Sequence, residues 1–298
     1  MKPLKEAHDK YVPGLHFLVK ENGARVIIAG RPGSGKSVLA QNFFRPGGPL
    51  YQKFDNCYLI IPQNSFGSVD EHPFKGHDKV YHEITDLVTV MDELNRKKRM
   101  YLQYQEYLEK LKQWRNRQRN RKRKGEDTEQ DDDSDPPPEK VEPAKLEYSV
   151  LLIDDFGPML KEREIDLRLK DFFSRSRHLM CQIYVLCQDY LQLNKTCRKL
   201  LSHSILFAPS NMAWEIFTEE QLLESKKEAM LLRRRVFNEK YNTLAVDEEK
   251  CLYKNFAKIS CVATETDPSY QEETAASSLP TTSDGPSHSS SSLPSAEK

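Results

Sequence analysis

Short apolar runs recur along the chain at 25–29 (RVIIA), 56–61 (NCYLII), 79–83, 150–153 (VLLI), 182–187 (QIYVLC) and 205–207 (ILF). Most are unbroken rather than alternating, which is the pattern of strands covered on both faces within a parallel sheet. Helical periodicity fills the intervals at 36–44, 86–124, 162–177 and about 211–238. Strands alternating with helices predict an α/β fold, a doubly wound and mostly parallel sheet. A later polar stretch, 242–253 (NTLAVDEEKCLY), is compatible with a β-hairpin.

The helix predicted over 86–124 carries its own pattern. Leu87, Leu94, Tyr101 and Leu108 recur every seven residues, with Val90, Lys97, Tyr104 and Leu111 as the companion row. Apart from Lys97 these positions are apolar, a coiled-coil-like seam. Past Leu111 the helix turns basic, WRNRQRNRKRK over 114–124, and acid follows at once in EDTEQDDDSDPPPE, where the prolines stop any helix. The basic run has three readings, a phosphate-contacting surface, a nuclear-import signal or a solvated helix end. The acidic run can mask it when no nucleic acid is bound. Beyond 261 the chain is Ser/Thr/Pro-rich and nearly free of aliphatic residues, so it is expected to be disordered. The division predicted is therefore 1–94 and 148–260 as two parts of one domain, 95–147 as a charged helical insert, and 261–298 as a tail.

Composition adds less. Over 298 residues, 38% are hydrophobic and 30% charged, enough for a sizeable core with much of the chain outside it. Lys+Arg and Asp+Glu both number 45, so the formal net charge is zero and only the segregation of charge is informative. The 6 cysteines form no CxxC pair and no Cys/His ligand spacing, which fits a reducing compartment better than a disulfide framework or a zinc site. The opening MKPLKEAHDK has no apolar stretch of a signal peptide, and no run approaches the roughly 18 residues of a membrane helix. The expectation is a soluble intracellular protein without a membrane partner.

The chemistry is concentrated in two motifs. Gly30-Arg31-Pro32-Gly33-Ser34-Gly35-Lys36-Ser37 matches GxxxxGK[ST] at every fixed position, follows the strand RVIIA and opens the helix SVLAQNFF. The glycines let backbone N–H groups close around phosphates, and the helix N-terminus adds its dipole. Lys36 reaches the β- and γ-phosphates of ATP, and the Ser37 hydroxyl ligates Mg²⁺. A phosphate loop needs a carboxylate at the end of another strand. Asp154 and Asp155 supply it after Val150-Leu-Leu-Ile. Asp154 holds Mg²⁺ and Asp155 orients or deprotonates the attacking water. With at least the strand at 56–61 intervening between the two motifs, this reads as a RecA-like P-loop NTPase with a catalytic acid.

The strand 182–187 ends in Gln188, placed to sense the γ-phosphate or position water. Arg175, Arg177 and Arg198 flank strand ends on the expected nucleotide side, and any one could act in trans as an arginine finger. Asn194-Lys-Thr-Cys lacks the Asp of a base-reading NKxD motif, and no LSGGQ-like stretch of a transporter ATPase is present.

GRPGSGKS, LLIDDF, Ser174-Arg-Ser-Arg-His178, the strand ending in Gln188 and Leu200-Leu-Ser-His-Ser-Ile-Leu-Phe207 together resemble the genome-packaging ATPases of the FtsK/HerA superfamily. The resemblance spans about 20–255 and is strongest to the poxvirus-type branch, found also in other large DNA viruses and Polinton/Maverick elements. It implies an ATP-hydrolysing, Mg²⁺-dependent motor, a homo-oligomeric ring that moves double-stranded DNA into a capsid with capsid or packaging proteins as partners. It also implies work in the host nucleus or at the virus assembly site. By resemblance Lys36 and Ser37 bind nucleotide and metal, Asp154 and Asp155 form Walker B, with Asp155 where the family often has Glu, and Gln188 is the sensor. Two other classes fit the motifs without the resemblance, a P-loop switch or loader that does not translocate DNA and a small-molecule phosphotransferase. DNA-stimulated hydrolysis separates the first reading from both.

Overall fold

The computed structural model describes residues 23–67, 79–124, 136–222 and 225–259. The expected disordered tail at 261–298 and most of the acidic run lie outside these residues. In chain order the elements are β1 (Arg25–Ala29), α1 (Lys36–Phe44), β2 (Asn56–Ile60), α2 (Gln63–Gly67), β3 (Val80–Tyr81), α3 (Asp86–Lys124) and β4 (Ser149–Ile153). There follow α4 (Arg163–Arg175), β5 (Cys181–Cys187), α5 (Lys195–Lys199), β6 (His203–Phe207), α6 (Asn211–Phe217), α7 (Lys226–Val236), β7 (Thr243–Val246), β8 (Leu252–Lys254) and β9 (Ala257–Ile259).

One 9-stranded sheet runs β3-β2-β4-β5-β1-β6-β7-β8-β9. Pairing is parallel from β3 to β6 and antiparallel from β6 to β9. Side chains alternate between faces along a strand, and both faces are apolar here. Ile27, Tyr58, Ile60, Leu151, Ile153, Ile183 and Val185 pack against α3, α4, α6 and α7. Val26, Ile28, Leu59, Val150, Leu152, Tyr184 and Leu186 pack against Ala40, Phe43 and Phe44 of α1. Two-sided cover explains the unbroken apolar runs, and the sheet is doubly wound as expected.

The order corrects one expectation. The strand between β1 and β4 in space is β5, not the run at 56–61: β5 pairs with β1 through Arg25↔Ile183 and with β4 through Ser149↔Cys181. Gln188 therefore emerges between the phosphate loop and the acidic pair. The helix expected over 211–238 is two helices joined through a π-helical turn, Thr218–Leu222. α7 starts afresh with a capping box, in which Ser225 Oγ accepts from Glu228 N and Glu228 Oε2 accepts from Ser225 N.

α3 is continuous over 39 residues, roughly 58 Å at about 1.5 Å per residue. Its seam divides. Leu87, Val90 and Leu94 belong to the domain core, while Leu108 is exposed. Among the described residues, what meets the outer part is the chain's own extended return. Gln103, Tyr107 and Lys110 share a cleft with Pro138–Val141, and Lys97 pairs with Glu93 at 3.2 Å and with Glu147 at 2.8 Å. Among the described residues no helix is long and apolar enough to cross a membrane.

Candidate nucleotide site

The phosphate loop joins β1 to α1 at the carboxyl edge of the parallel strands, where open α/β sheets place their ligands. Gly33 and Gly35 turn the chain with φ of 72° and 97°, a region closed to most side chains. Gly30 is held by contact, since a Cβ there would come within 2.6 Å of Phe207 Cβ. Gly30 N donates to Cys187 O at 3.1 Å, Ser34 N donates to Arg31 O at 3.1 Å, and Lys36 Nζ donates to Arg31 O at 3.3 Å. Arg31, Pro32 and Gly33 are exposed at the tip of the loop. The first N–H groups of α1 lack acceptors within their own helix and point out of the loop's end of it.

Asp154 ends β4 as its backbone N–H donates to Ile60 O at 3.0 Å. Its carboxylate accepts from Ser37 Oγ at 2.8 Å, across 117 residues of chain. Asp154 is buried, and that burial pushes its pKa up to about 6. The nearby charge of Asp155 adds to the rise, while the Ser37 hydrogen bond and Lys36 oppose it. Burial also lowers the pKa of Lys36, against the pull of both aspartates.

Asp155 is exposed and has φ of 62°, a left-handed conformation that Asp tolerates better than most residues. It accepts from Ser65 Oγ at 2.6 Å and lies 3.5 Å from Gln188 Nε2. Lys36, Ser37, Asp154, Asp155 and Gln188 line one cavity of about 380 Å³ together with Pro32 and Ser65. Of the expected site residues, Pro32, Lys36, Ser37, Asp154, Asp155 and Gln188 thus share one cavity, while Gly33, Ser34 and Gly35 border the neighbouring one.

Mg²⁺ takes hard oxygen ligands and keeps several waters, completing its shell with substrate phosphates. Ser37 and Asp154 offer such oxygens side by side, and burial of the carboxylate disfavours its charge in the absence of a cation. No cluster of three or more His, Cys, Asp or Glu among the described residues could hold a metal alone. The donor set fits a metal brought with a nucleotide.

The three arginines do not reach this cavity. Arg175 donates to Asp171 at 3.1 Å and to Asn95 Oδ1 at 2.6 Å, and Arg177 donates to Glu248 at 2.9 Å. Both precede β5 and so lie at the amino edge of the sheet, opposite the phosphate loop. Arg198 is buried, bound to Glu220 through two 2.8 Å contacts and to Leu193 O at 2.7 Å. Removing one partner of so buried a pair strands the other's charge.

Sequence reading missed two residues. Ser65 reaches Asp155 from the short helix after β2. Gln192 Oε1 accepts from Gln188 N at 2.8 Å and from Asp189 N at 3.3 Å. Gly157 leaves room for it, since a Cβ there would fall 2.2 Å from that oxygen. Gln192 so braces the end of β5 against the loop that follows the acidic pair. Its signal was the Asp-x-x-Gln spacing of a capping box starting at Asp189.

Residues 139–281 match the model of the poxvirus A32 protein family, a stretch that takes in β4 to β9 and the acidic pair but not the phosphate loop. No curated protein matches the chain. Among solved structures, the DNA-packaging ATPase B204 of Sulfolobus turreted icosahedral virus aligns at 16% identity and a TM-score of 0.45, covering 78% of this chain and 98% of its own. The genome-packaging NTPase B204 of Sulfolobus turreted icosahedral virus 2, in complex with AMPPCP, aligns at 14% identity and a TM-score of 0.44, over 78% of this chain and 97% of its own. EssC (ATPases 2 and 3) of Geobacillus thermodenitrificans aligns at 12% identity and a TM-score of 0.46, over 86% of this chain and 42% of its own.

Proposed function

We propose that this chain is a genome-packaging ATPase of the FtsK/HerA type, an ATP-hydrolysing motor that translocates double-stranded DNA of a virus or virus-like element into a capsid. The observation that carries it is the convergence of the phosphate loop, the acidic pair and Gln188 on one cavity. The match of residues 139–281 to the poxvirus A32 family supports the choice of cargo.

In this reading the backbone amides of residues 30–37 wrap the phosphates of ATP, and Lys36 pairs with the β- and γ-phosphates. Ser37 and Asp154 would hold Mg²⁺, which would supply charge neutralisation to the phosphates. Asp155 accepts a proton from the attacking water or orients it, and Ser65 and Gln188 hold that carboxylate in place. Gln188 senses the γ-phosphate, and Gln192 transmits its position to the loop after Walker B. Residues 1–94 and 148–260 act as one motor domain with 95–147 inserted, copies of the chain assemble as a homo-oligomeric ring, and 261–298 is a tail. Capsid or packaging proteins are its partners, and the host nucleus or virus assembly site is its place of work.

Hydrolysis by the purified protein, with and without linear double-stranded DNA, tests the reading. A several-fold rise with DNA is the expected result, whereas a rate indifferent to DNA would leave an ATPase that does other work.

The outer half of α3 is the proposed DNA contact. Arg115, Arg117, Arg119, Arg121 and Arg123 are all exposed there, and phosphate contacts release counterions in proportion to their number. Neutralising these five should flatten the dependence of log K on log salt by up to about 4.5 units. An unaltered slope assigns the run elsewhere.

A further inference from the structure

We propose that the second cavity beside the phosphate loop, about 570 Å³ in volume, is a purine-base pocket in which Tyr241 stacks on the base of the bound nucleotide. This rests on the phosphate-loop reading and extends it to the other end of the ligand. The cavity shares Gly33, Ser34 and Gly35 with the loop and continues along the outer side of α1 past Val38 and Asn42 to Phe207 and the β7–β9 strands. A nucleotide whose phosphates lie in the loop has its base directed to one side, and this is the apolar hollow that borders it.

Several independent features mark the cavity. Val38 and Tyr241 are each 58% exposed, an apolar pair on open surface that an aromatic ligand would cover. The rings of Tyr241 and Phe207 come over the loop, since a Cβ on Gly35 would stand 3.6 and 3.7 Å from them. Tyr241 lines it with φ of 71°, whereas the positive φ of Asn255 (48°) and Phe256 (66°) is that of the two-residue hairpin turn joining β8 to β9. Left-handed backbone is costly for aromatic residues and collects at ligand sites. The strain here has a visible outcome, which is to set the Tyr241 ring beside the loop. Asn255 spends its side chain on holding that turn, accepting from Thr243 N at 2.8 Å and donating to Asn242 Oδ1 at 2.7 Å.

The chemistry favours stacking over edge reading. The lining is mainly apolar, so binding depends on ring area, which purines have in excess of pyrimidines. Asn42, whose Oδ1 accepts from Arg45 at 3.4 Å, has both a donor and an acceptor and suits the edge of adenine or guanine.

The test compares ligands with and without a base. Wild type should bind ATP and GTP several-fold tighter than CTP and UTP, with inorganic tripolyphosphate weaker still. Tyr241→Ala should weaken ATP roughly tenfold or more, the scale of a lost base–aromatic stack, and leave tripolyphosphate binding as it was. Equal affinity for all four nucleotides, an unchanged ATP affinity in Tyr241→Ala, or equal loss of ATP and tripolyphosphate would each overturn the pocket. Failure of wild type to bind tripolyphosphate, or its undiminished binding by Lys36→Ala, would instead strike the phosphate-loop reading beneath it.

Discussion

Asp155→Asn should abolish most ATP turnover, lowering kcat by about 10²–10⁴, the usual worth of a positioned general base, while leaving ATP binding within a few-fold of wild type. The side chain is exposed, borders the cavity beside Lys36 and Ser37, and is held by Ser65 and Gln188. Asn keeps the size and the tolerance for φ of 62°, so the backbone need not move, and the hydrogen bond from Ser65 survives through the amide oxygen. What is lost is proton affinity. A split between turnover and binding, read from steady-state kinetics beside a direct binding isotherm, is the expected signature. Full activity in the variant would remove Asp155 from the chemistry. Equal loss of binding and turnover would give it a structural role instead.

The parts of this site that were legible in the sequence are those whose chemistry is local. A phosphate loop needs its glycines, lysine and serine within eight consecutive positions, because one turn of chain must wrap one phosphate chain. Asp154 and Asp155 follow their strand directly, so an apolar run and two letters suffice. The position of β5 between β1 and β4 was not legible, because strand order depends on crossovers of long helices that no short pattern records. The placement of the arginines was misread for a related reason. Arg198 reads as a solvated helix charge until Glu220, distant in sequence, is folded against it, and Arg175 and Arg177 change edge once the direction of β5 is known. The heptad seam of α3 was a real apolar stripe, but periodicity cannot say what covers it. Its inner end meets the sheet's helices, Tyr101 borders the returning segment Lys145–Glu147, and Leu108 beyond it is exposed. Tyr241 gave no signal at all, since its importance lies in a backbone angle and in its distance from Gly35.

Asp154→Asn should have two opposite effects, and their combination is diagnostic. Folding holds the Asp154 carboxyl at a pKa of about 6, against 3.8 as its ordinary value. The native state therefore takes up a proton more readily than the unfolded chain, and the ionised form opposes folding. Below about pH 4 this opposition is absent. It grows as pH rises through 6 and is complete above it. A shift of roughly 2 pKa units corresponds to about 3 kcal/mol. The metal-free Asn variant should accordingly be more stable than wild type at pH 7.5 by up to about 3 kcal/mol, with the gap closing towards pH 4. With Mg²⁺ and ATP present the order should reverse. Ligand binding stabilises the native state in proportion to the logarithm of its occupancy, and a neutral amide holds a divalent cation poorly. Thermal denaturation at both pH values, with and without Mg–ATP, reads the two effects from one set of samples. An Asn variant less stable than wild type in the absence of metal would mean that the Ser37 hydrogen bond and Lys36 already neutralise this carboxylate. The residue would then be a structural partner of the phosphate loop, and the metal would need another anchor. The expected reversal marks instead a charge that the fold tolerates only because a cation arrives with the nucleotide.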